Sequence, residues 1–432
     1  MKDNNLVAFI YSQMMNIFIL AVMISFLVFI FLNSNQPIKI QGDGVFYYSW
    51  LRSAVFDHDL DFHNELEYFA QQDFYSEKFV KENILTSNGK TPNPYAYGTA
   101  ILWAPFFLVG DLLTVIFDFS RNGYSFFYVF MINFGTWLFG TLALFFIFKS
   151  CLLVLHDKEK TDNEYTVLVL LGVWLSTPFL YYQLLAPSMS HIPSLFLSSM
   201  LFYLSLKFFY LKDVNPWFFM LVIFLLCATR WQNILIVLAV APLFVPAFII
   251  KKEEISNSIK HFLIFILPLI LFVVCQMLVW ENVYGKYLLI PQGHNFVRPE
   301  FHGLYVLFSS NRGLFSWSPF LLLVFFGMYY LWLKSRRVAI VVILAFIFTW
   351  IINGSLSDLG GGDAFGARRF LEILPFLIMP IVFLGEKFKK YHMVMFLIVG
   401  FFVLINLFLI NSYRLGLIPR SGEFDLLKLI TQ

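Results

Sequence analysis

Titratable side chains are concentrated in residues 41–65, which carry five carboxylates and two histidines in a chain of which only 13% of residues are charged. Asp43 stands there between Gly42 and Gly44, and glycines let a substrate approach the backbone closely. An aspartate in such a place is suited to general base catalysis, because it can take the proton from an attacking hydroxyl. The alternative for Asp43 is a helix N-cap, whose carboxylate accepts a hydrogen bond from an exposed backbone amide.

Three further aspartates, Asp57, Asp59 and Asp61, alternate along the same segment and compete with Asp43 for the role of base. Their spacing resembles a calcium-binding loop, but such a loop needs glycine at its sixth position and glutamate at its twelfth. Phe62 and Tyr68 stand at those positions, so the pattern fails and we expect no metal or other cofactor. A looser divalent-cation site, an acceptor-binding acid and a solvated acidic loop stay open as alternatives.

Arginines in the predicted outer loops supply four of the ten candidate substrate-binding residues. A guanidinium grips phosphate through two parallel hydrogen bonds, so arginines on that side of a membrane favour an anionic partner. Arg312 stands at a predicted helix start, where backbone amides also face an anion. The alternative is that some of these arginines pair with acids of the same side, namely Glu300, Asp358, Asp363 or Glu372. The candidate substrate-binding residues are Tyr47, Tyr48, Asp59, Asp61, His191, Arg230, Arg312, Asp363, Arg368 and Arg369.

The composition requires a membrane scaffold for these groups. With 59% hydrophobic residues, 55 phenylalanines and a positive mean hydropathy, the chain is predicted to be an all-α polytopic membrane protein. Its apolar runs of about 20 residues have the length that a helix needs to cross hydrocarbon. No stretch long enough for a soluble domain interrupts them, so residues 1–432 are predicted to form one integral-membrane domain. The net charge of +3 is small and dispersed, which argues against nucleic acid as a partner.

About eleven crossings are predicted, with the N-terminus in the cytoplasm. They fall at residues 7–32, 124–155, 165–185, 192–211, 217–229, 234–250, 262–281, 314–333, 338–353, 370–384 and 392–410. This order places nearly all the lysines beyond the first outer loop on the cytoplasmic side, as the positive-inside tendency requires.

Residues 33–120 are then predicted to form an outer loop with juxtamembrane helices, and residues 412–432 a short outer tail. One surface helix would begin at Gly42 and offer its aromatic side chains to the lipid interface. A second would cover residues 99–119, where Pro105 and Asp111 interrupt a hydrophobic run. If residues 99–119 crossed the membrane instead, the side of every later loop would be inverted.

These features together resemble the GT-C superfamily of polyprenyl-phosphate-dependent glycosyltransferases. Within it, the chain is similar to the bacterial branch near the lipid A aminoarabinose transferases and protein O-mannosyltransferases (glycosyltransferase family 39). The resemblance covers roughly residues 36–375 in layout. Its motifs are Gly42-Asp43-Gly44 with Tyr47 and Tyr48, Ser190-His191, Arg312-Gly313-Leu314-Phe315 with Ser318-Pro319, and Gly361-Gly362 with Phe365-Gly366 and Arg368.

The chain departs from the family's pattern at two places. The acidic residue followed closely by Arg-Tyr that is usual in the family is absent after Asp43. Asn93-Pro94-Tyr95 replaces its Lys-Pro-Pro turn. The donor sugar and the acceptor therefore do not follow from the resemblance.

The resemblance implies a GT-C-like fold and an inverting hexosyl- or pentosyltransferase. Such an enzyme takes a sugar from a polyprenyl-phosphate carrier in the bilayer and joins it to a glycan, lipid or protein acceptor at the periplasmic face of the inner membrane. Asp43 would be the base, and Arg230, Arg312, Arg368 or Arg369 would stabilise the leaving phosphate without a metal. Two other functions stay open, namely a transporter or flippase of a lipid-linked saccharide and a polysaccharide polymerase or ligase.

Overall fold

Helices form the architecture of the part of the chain that the structure describes. The structure is a computed structural model and describes residues 13–71, 77, 80–82, 84–155, 163–244 and 255–425. Its α-helices are α1 (Met14–Asn33), α2 (Asp43–Arg52), α3 (His63–Ala70), α4 (Gly98–Ile116), α5 (Phe126–Leu155), α6 (Asn163–Leu175), α7 (Phe179–Leu184), α8 (His191–Leu211), α9 (Pro216–Thr229), α10 (Ile234–Val240), α11 (Ile255–Tyr284), α12 (Gly303–Phe308), α13 (Leu314–Trp317), α14 (Leu323–Lys334), α15 (Arg336–Gly354), α16 (Leu374–Lys387) and α17 (His392–Arg414). Parts of the predicted spans at 7–32 and 234–250, and residues 426–432 of the predicted tail, lie outside the described residues.

The lengths and composition of these helices confirm an all-α polytopic membrane protein. Among the described residues, seven helices are long and apolar enough to cross a bilayer, namely α1, α4, α5, α8, α11, α15 and α17. Four shorter apolar helices accompany them, at Glu164–Leu175, Pro216–Thr229, Trp231–Leu243 and Pro319–Lys334. The predicted crossing at 370–384 corresponds to α16, which has 14 residues, contains Pro380 and is buried along most of its length.

Contacts between helix ends show that α8 and α9 run in opposite directions, as do α15 and α16. His191 begins α8, Arg230 follows α9, and Glu372 lies in the 3-10 turn that precedes α16; these three side chains contact one another. At the other end of the bundle, the hydroxyl of Tyr210 near the end of α8 donates to Ser335, which lies between α14 and α15 (3.4 Å). One end of the bundle therefore gathers the charged candidate residues, and the turns at the opposite end are rich in lysine.

Helix α4 lies beside the first half of α5. Gly110 packs against the backbone of Phe127, and the indole of Trp103 donates to the hydroxyl of Thr136 (3.1 Å). Phe146, in the second half of α5, packs instead against aromatic rings of α8. α4 has the length and composition of a crossing helix, so its position along the outer surface stays a prediction.

Helix α2 corrects one expectation from the sequence. Its residues 44–51 are all buried, including Tyr47 and Tyr48, so they do not face a lipid interface. Gly44 permits this depth because a Cβ at that position would lie 2.5 Å from the hydroxyl oxygen of Ser188. The prediction of a surface helix is therefore wrong for α2, because neighbouring segments cover its aromatic side chains on every side.

The two ends of the bundle are expected to face opposite sides of the membrane. We predict that a membrane-impermeant maleimide added to intact cells labels Leu288→Cys, whose leucine is highly exposed after α11, and leaves Lys389→Cys unlabelled. Lys389→Cys should react only once the membrane is opened. The wild-type protein gives the background, because Cys151 and Cys227 are buried. Labelling of both variants from outside would contradict the two-sided arrangement.

Candidate active site

The centre of the candidate site is an ion pair between the first outer segment and the turn before α16. Asp43 begins α2, and its Oδ2 lies 2.9 Å from Nη2 of Arg368. Tyr95 donates its hydroxyl hydrogen to Oδ1 of the same carboxylate (2.8 Å). Arg368 Nη2 also donates to the carbonyl of Gly361 (2.8 Å). The structure thus brings together the aspartate and one of the arginines that the sequence singled out.

The electrostatic surroundings keep Asp43 ionised. Burial alone would raise the pKa of its carboxyl, but the Arg368 guanidinium and the hydrogen bond from Tyr95 outweigh burial and hold that pKa below its usual value. Burial raises the pKa of Tyr95 well above its usual value and that of Tyr47 to about 12. The site therefore holds a charged carboxylate beside hydroxyl groups that keep their protons. Asp43 is still 23% exposed at its side chain, so a ligand can reach it.

A second buried cluster lies at the same end of the bundle and is centred on Glu372. Its Oε1 lies 2.8 Å from Nη1 of Arg230 and 3.0 Å from Nδ1 of His191. The hydroxyl of Ser198 donates to the backbone carbonyl of Glu372 (2.6 Å). A buried charge is stable in an apolar bundle only when it is paired and hydrogen-bonded. Glu372 therefore fixes the positions of both Arg230 and His191.

Arg369 and Asp363 order the glycine-containing loop at 358–366. Nη2 of Arg369 lies 3.0 Å from Oδ2 of Asp358, and Nη1 contacts the carbonyl of the same residue. Asp363 accepts hydrogen bonds from Tyr413 (2.5 Å) and Arg420 (2.9 Å). These contacts tie the loop to the end of α17 and to the residues that follow it.

Arg312 has a mainly structural set of contacts. It adopts a left-handed backbone conformation (φ 65°), and its guanidinium donates to the carbonyls of Ala364 (2.8 Å) and Pro419 (3.0 Å). It is almost fully buried. These contacts fasten the C-terminal residues over the loop at 358–366, and they give no support to the prediction that Arg312 binds phosphate, which stays a prediction.

Other candidates lie in local structure away from the ion pair. Tyr48 is fully buried, with its hydroxyl on a backbone carbonyl. Asp59 accepts a hydrogen bond from Ser53 (2.9 Å), and Asp61 accepts one from the backbone amide of Thr91 (2.9 Å). The structure thus gives these three residues partners in the outer loop. No group of three or more metal-ligating side chains occurs in the residues that the structure describes.

Tyr47 lies close to both charged clusters. Its hydroxyl accepts a hydrogen bond from Ser190 (2.9 Å), the residue before His191. Its ring packs edge-to-face on that of Tyr95, with centroids 5.2 Å apart. Tyr47 therefore belongs with Asp43 among the predicted residues that the fold gathers at one place.

Two cavities adjoin the clusters and share Arg369 and Asn353. The first, here called the lateral cleft, is lined by Arg230, Gln232, Asn233, Leu235, Ile236, Phe348, Thr349, Ile352, Asn353, Arg369 and Glu372. Its apolar walls come from α10 and α15. The second, here called the glycine cavity, is lined by Val306, Arg312, Asn353, Leu359, Gly360, Gly361, Gly366, Ala367, Arg368, Arg369 and Phe370.

The chain has a fold similar to that of a solved protein. No family model matches the chain, and no curated protein matches it. The chain is similar to the archaeal oligosaccharyltransferase AglB from Archaeoglobus fulgidus, solved in complex with an inhibitory peptide and a dolichol-phosphate. The match covers 96% of this chain and 56% of AglB, with 12% sequence identity and a TM-score of 0.49. The chain thus spans little more than half the length of AglB, and a likeness at this level assigns no activity.

Sequence reasoning missed Tyr95 and gave Glu372 only the role of a counter-ion. Tyr95 lies in the turn where the chain departs from the family pattern, and that departure was the available signal. Glu372 is an isolated acid between two arginines and the apolar run of α16. A charge so close to an apolar run is stable only with a partner, and this was a usable signal for a buried ion pair.

The far end of α2 is held by a cluster that includes Asp57, one of the alternative bases that the sequence offered. Nη1 of Arg52 lies 2.9 Å from Oε1 of Glu65 and also contacts Asp57. Its guanidinium lies 5.1 Å from the centre of the Tyr124 ring. Glu65 is fully buried, and burial raises the pKa of its carboxyl to about 8 in spite of Arg52. This cluster positions the helix that begins with Asp43.

Glu65 is expected to make stability depend on pH. Its pKa is about 8 in the folded protein and 4.5 in the unfolded chain, so the unfolded chain releases this proton first as pH rises. Stability should therefore fall between about pH 4.5 and pH 8, by up to about 5 kcal/mol, and then level off. Glu65→Gln should remove this slope, and the exposed Glu67→Gln should keep it. Thermal unfolding in detergent checks this; equal slopes for wild type and Glu65→Gln would contradict it.

Proposed function

We propose that this protein is an inverting membrane glycosyltransferase that moves a sugar from a polyprenyl-phosphate carrier to a hydroxyl acceptor. The observation that supports this most directly is the pairing of Asp43 with Arg368, whose neighbour Arg369 lines the lateral cleft. That arrangement combines an ionised carboxylate, several guanidinium groups and an apolar wall at one end of a membrane bundle. These are the groups that an amphiphilic, phosphate-bearing donor and a hydroxyl acceptor need.

The residues that line the lateral cleft have the chemistry that a prenyl-phosphate carrier needs. Arg230 and Arg369 stand among its polar residues and would bind the phosphate, with the carboxamide of Gln232 against the Arg230 guanidinium. Leu235 and Phe348 belong to its apolar walls and would contact the first isoprene units. A lipid-linked donor suits such a cleft better than a nucleotide sugar, because a nucleotide would leave the apolar walls without a partner.

Asp43 would act as the general base of a single displacement. The acceptor hydroxyl attacks the anomeric carbon, a new carbon–oxygen bond forms, and the bond between that carbon and the phosphate oxygen breaks. The electron pair of the broken bond stays on the phosphate, and the acceptor's proton passes to Asp43. Arg368 keeps Asp43 ionised and oriented, and Arg230 and Arg369 stabilise the charge on the leaving phosphate. One displacement inverts the anomeric configuration.

The remaining parts of the proposal concern place and partners. If the lysine-rich end of the bundle faces the cytoplasm, Asp43 lies at the periplasmic face of the inner membrane. The acceptor is then a glycan, a lipid or a protein that presents a hydroxyl there. A transporter typically carries ionisable residues at mid-membrane. The charged clusters here gather at helix ends instead, and this favours a transferase. A polymerase or ligase uses the same donor chemistry and differs in the length of its product.

Asp43→Asn is expected to lower transfer about 10²- to 10⁴-fold, because the acceptor then loses its base. The assay uses purified protein in liposomes with a lipid extract from cells whose sugars are metabolically labelled. It measures how much labelled sugar leaves the lipid phosphate and joins another molecule. Asp118→Asn is the matched control, because Asp118 is exposed, has a positive φ that asparagine also adopts and undergoes the same change of charge.

Three outcomes of this assay are informative. Loss of transfer in Asp43→Asn that elutes from size exclusion as the wild type does, with wild-type transfer in Asp118→Asn, supports the assignment. Full transfer by Asp43→Asn removes Asp43 as the base. Movement of label across a sealed vesicle without a new glycosidic bond contradicts the transferase and supports a transporter.

A further inference from the structure

The glycine cavity contains a hydrogen-bond donor that the protein itself leaves unused. Arg368 is only 7% exposed. Its Nη2 contacts Asp43 and the carbonyl of Gly361, but its Nε has no hydrogen-bond partner among the described residues. A buried guanidinium N–H is costly to leave without an acceptor. We therefore expect a bound ligand to supply one.

The residue in front of that nitrogen is a glycine. Gly361 has a φ of 73°, and a Cβ at this position would lie 3.6 Å from Nε of Arg368 and 3.8 Å from Cζ of Arg369. Any side chain here would occupy the space between the two guanidinium groups. The missing side chain thus leaves no side-chain atom of residue 361 between its backbone and the two guanidinium groups.

The residues that line the glycine cavity indicate an anionic ligand. Arg368 and Arg369 contribute to its lining, and none of its lining residues is acidic. Arg312 also lines it, but its guanidinium donates to backbone carbonyls and is not counted as a donor for the ligand. Asp43 and Asp358, which pair with two of these arginines, do not line it. A phosphoryl group is the anion that suits buried guanidinium donors next to an open backbone.

The glycine cavity and the lateral cleft adjoin through Arg369 and Asn353, which line both. The two cavities therefore meet at Arg369, and each is lined by guanidinium groups. The phosphoryl group of a monophosphate would occupy only one of them. We propose that the donor is linked through a diphosphate, with the prenyl-bearing phosphoryl in the lateral cleft and the sugar-bearing phosphoryl on Nε of Arg368. This rests on the proposed function and specifies its donor.

A diphosphate-linked donor accounts for every bond and proton in the transfer step. The bond between the anomeric carbon and the oxygen of the sugar-bearing phosphoryl breaks, and its electron pair stays on that oxygen. The acceptor's proton goes to Asp43, and the carrier leaves as a prenyl diphosphate. Arg368 would hold the base through Nη2 and the leaving group through Nε, so one guanidinium sets the distance between them.

Binding of two soluble prenyl probes tests the proposal. Purified full-length protein in nanodiscs is titrated with farnesyl diphosphate and with farnesyl monophosphate, and binding is measured by calorimetry. The wild type should bind the diphosphate more tightly by about tenfold or more, the gain expected from added charge-assisted hydrogen bonds. Gly361→Ala should lose this preference and keep its affinity for the monophosphate, because its methyl group lies in the glycine cavity and outside the lateral cleft.

Gly362→Ala is the matched control. Gly362 also has a positive φ (69°), so alanine causes similar backbone strain there, but Gly362 does not line the cavity. It should keep the preference for the diphosphate. If Gly361→Ala and Gly362→Ala both lose the preference, the proposal is overturned. The loss would then come from general disorder of the loop at 358–366.

The remaining outcomes separate this inference from the proposed function. Equal wild-type affinity for the two probes overturns the diphosphate donor and leaves a monophosphate-linked transferase in place. If the wild type binds neither probe, the result contradicts the proposed function as well. If Gly361→Ala does not fold, the wild-type comparison alone decides between a diphosphate and a monophosphate donor.

Discussion

Burial of charge within an apolar bundle is the constraint on which this architecture depends. Arg368 and Arg230 are each held by a carboxylate, Asp43 and Glu372. Removing one partner of such a buried pair typically destabilises a protein by about 3–5 kcal/mol, because the other charge is left unpaired. Asp43 follows α1 and Glu372 precedes α16, so the contacts that neutralise the charges also hold distant parts of the chain together. The residues proposed for chemistry are therefore also residues that organise the bundle.

Much of the helical framework follows from the sequence because hydrocarbon imposes a simple rule on it. Every backbone amide and carbonyl in a bilayer must be satisfied within the chain, so long apolar runs become helices. Charges are then pushed to the helix ends, where Arg230 and Glu372 lie. This is why an end of the bundle rich in arginine and acids could be predicted. The pairing of individual arginines with individual acids could not be predicted, because it depends on packing between helices that are far apart in the chain.

The outer segment shows where local sequence information stops. Asp43, Asp57, Asp59 and Asp61 look alike as acids next to aromatic residues, yet only the tertiary fold decides that Asp43 reaches Arg368. The burial of α2 was hidden for a similar reason, since periodicity describes a helix face without saying what covers it. Tyr95 was missed because its contact with Asp43 crosses 52 positions of the chain, a separation over which sequence spacing gives no geometry.

The same ion pairs have a consequence for how the proposed reaction would begin. In the structure the Arg368 guanidinium lowers the pKa of Asp43, so the carboxylate is charged but a weak base. A phosphoryl group that also binds Arg368 would share that guanidinium's charge, and Asp43 would then become a stronger base. Glu372 is paired with Arg230 in the same way, so a phosphoryl group on Arg230 would also share the charge that Glu372 now neutralises. Asp43 would thus become a stronger base only once the anionic donor is bound. This limits proton transfer to the occupied site.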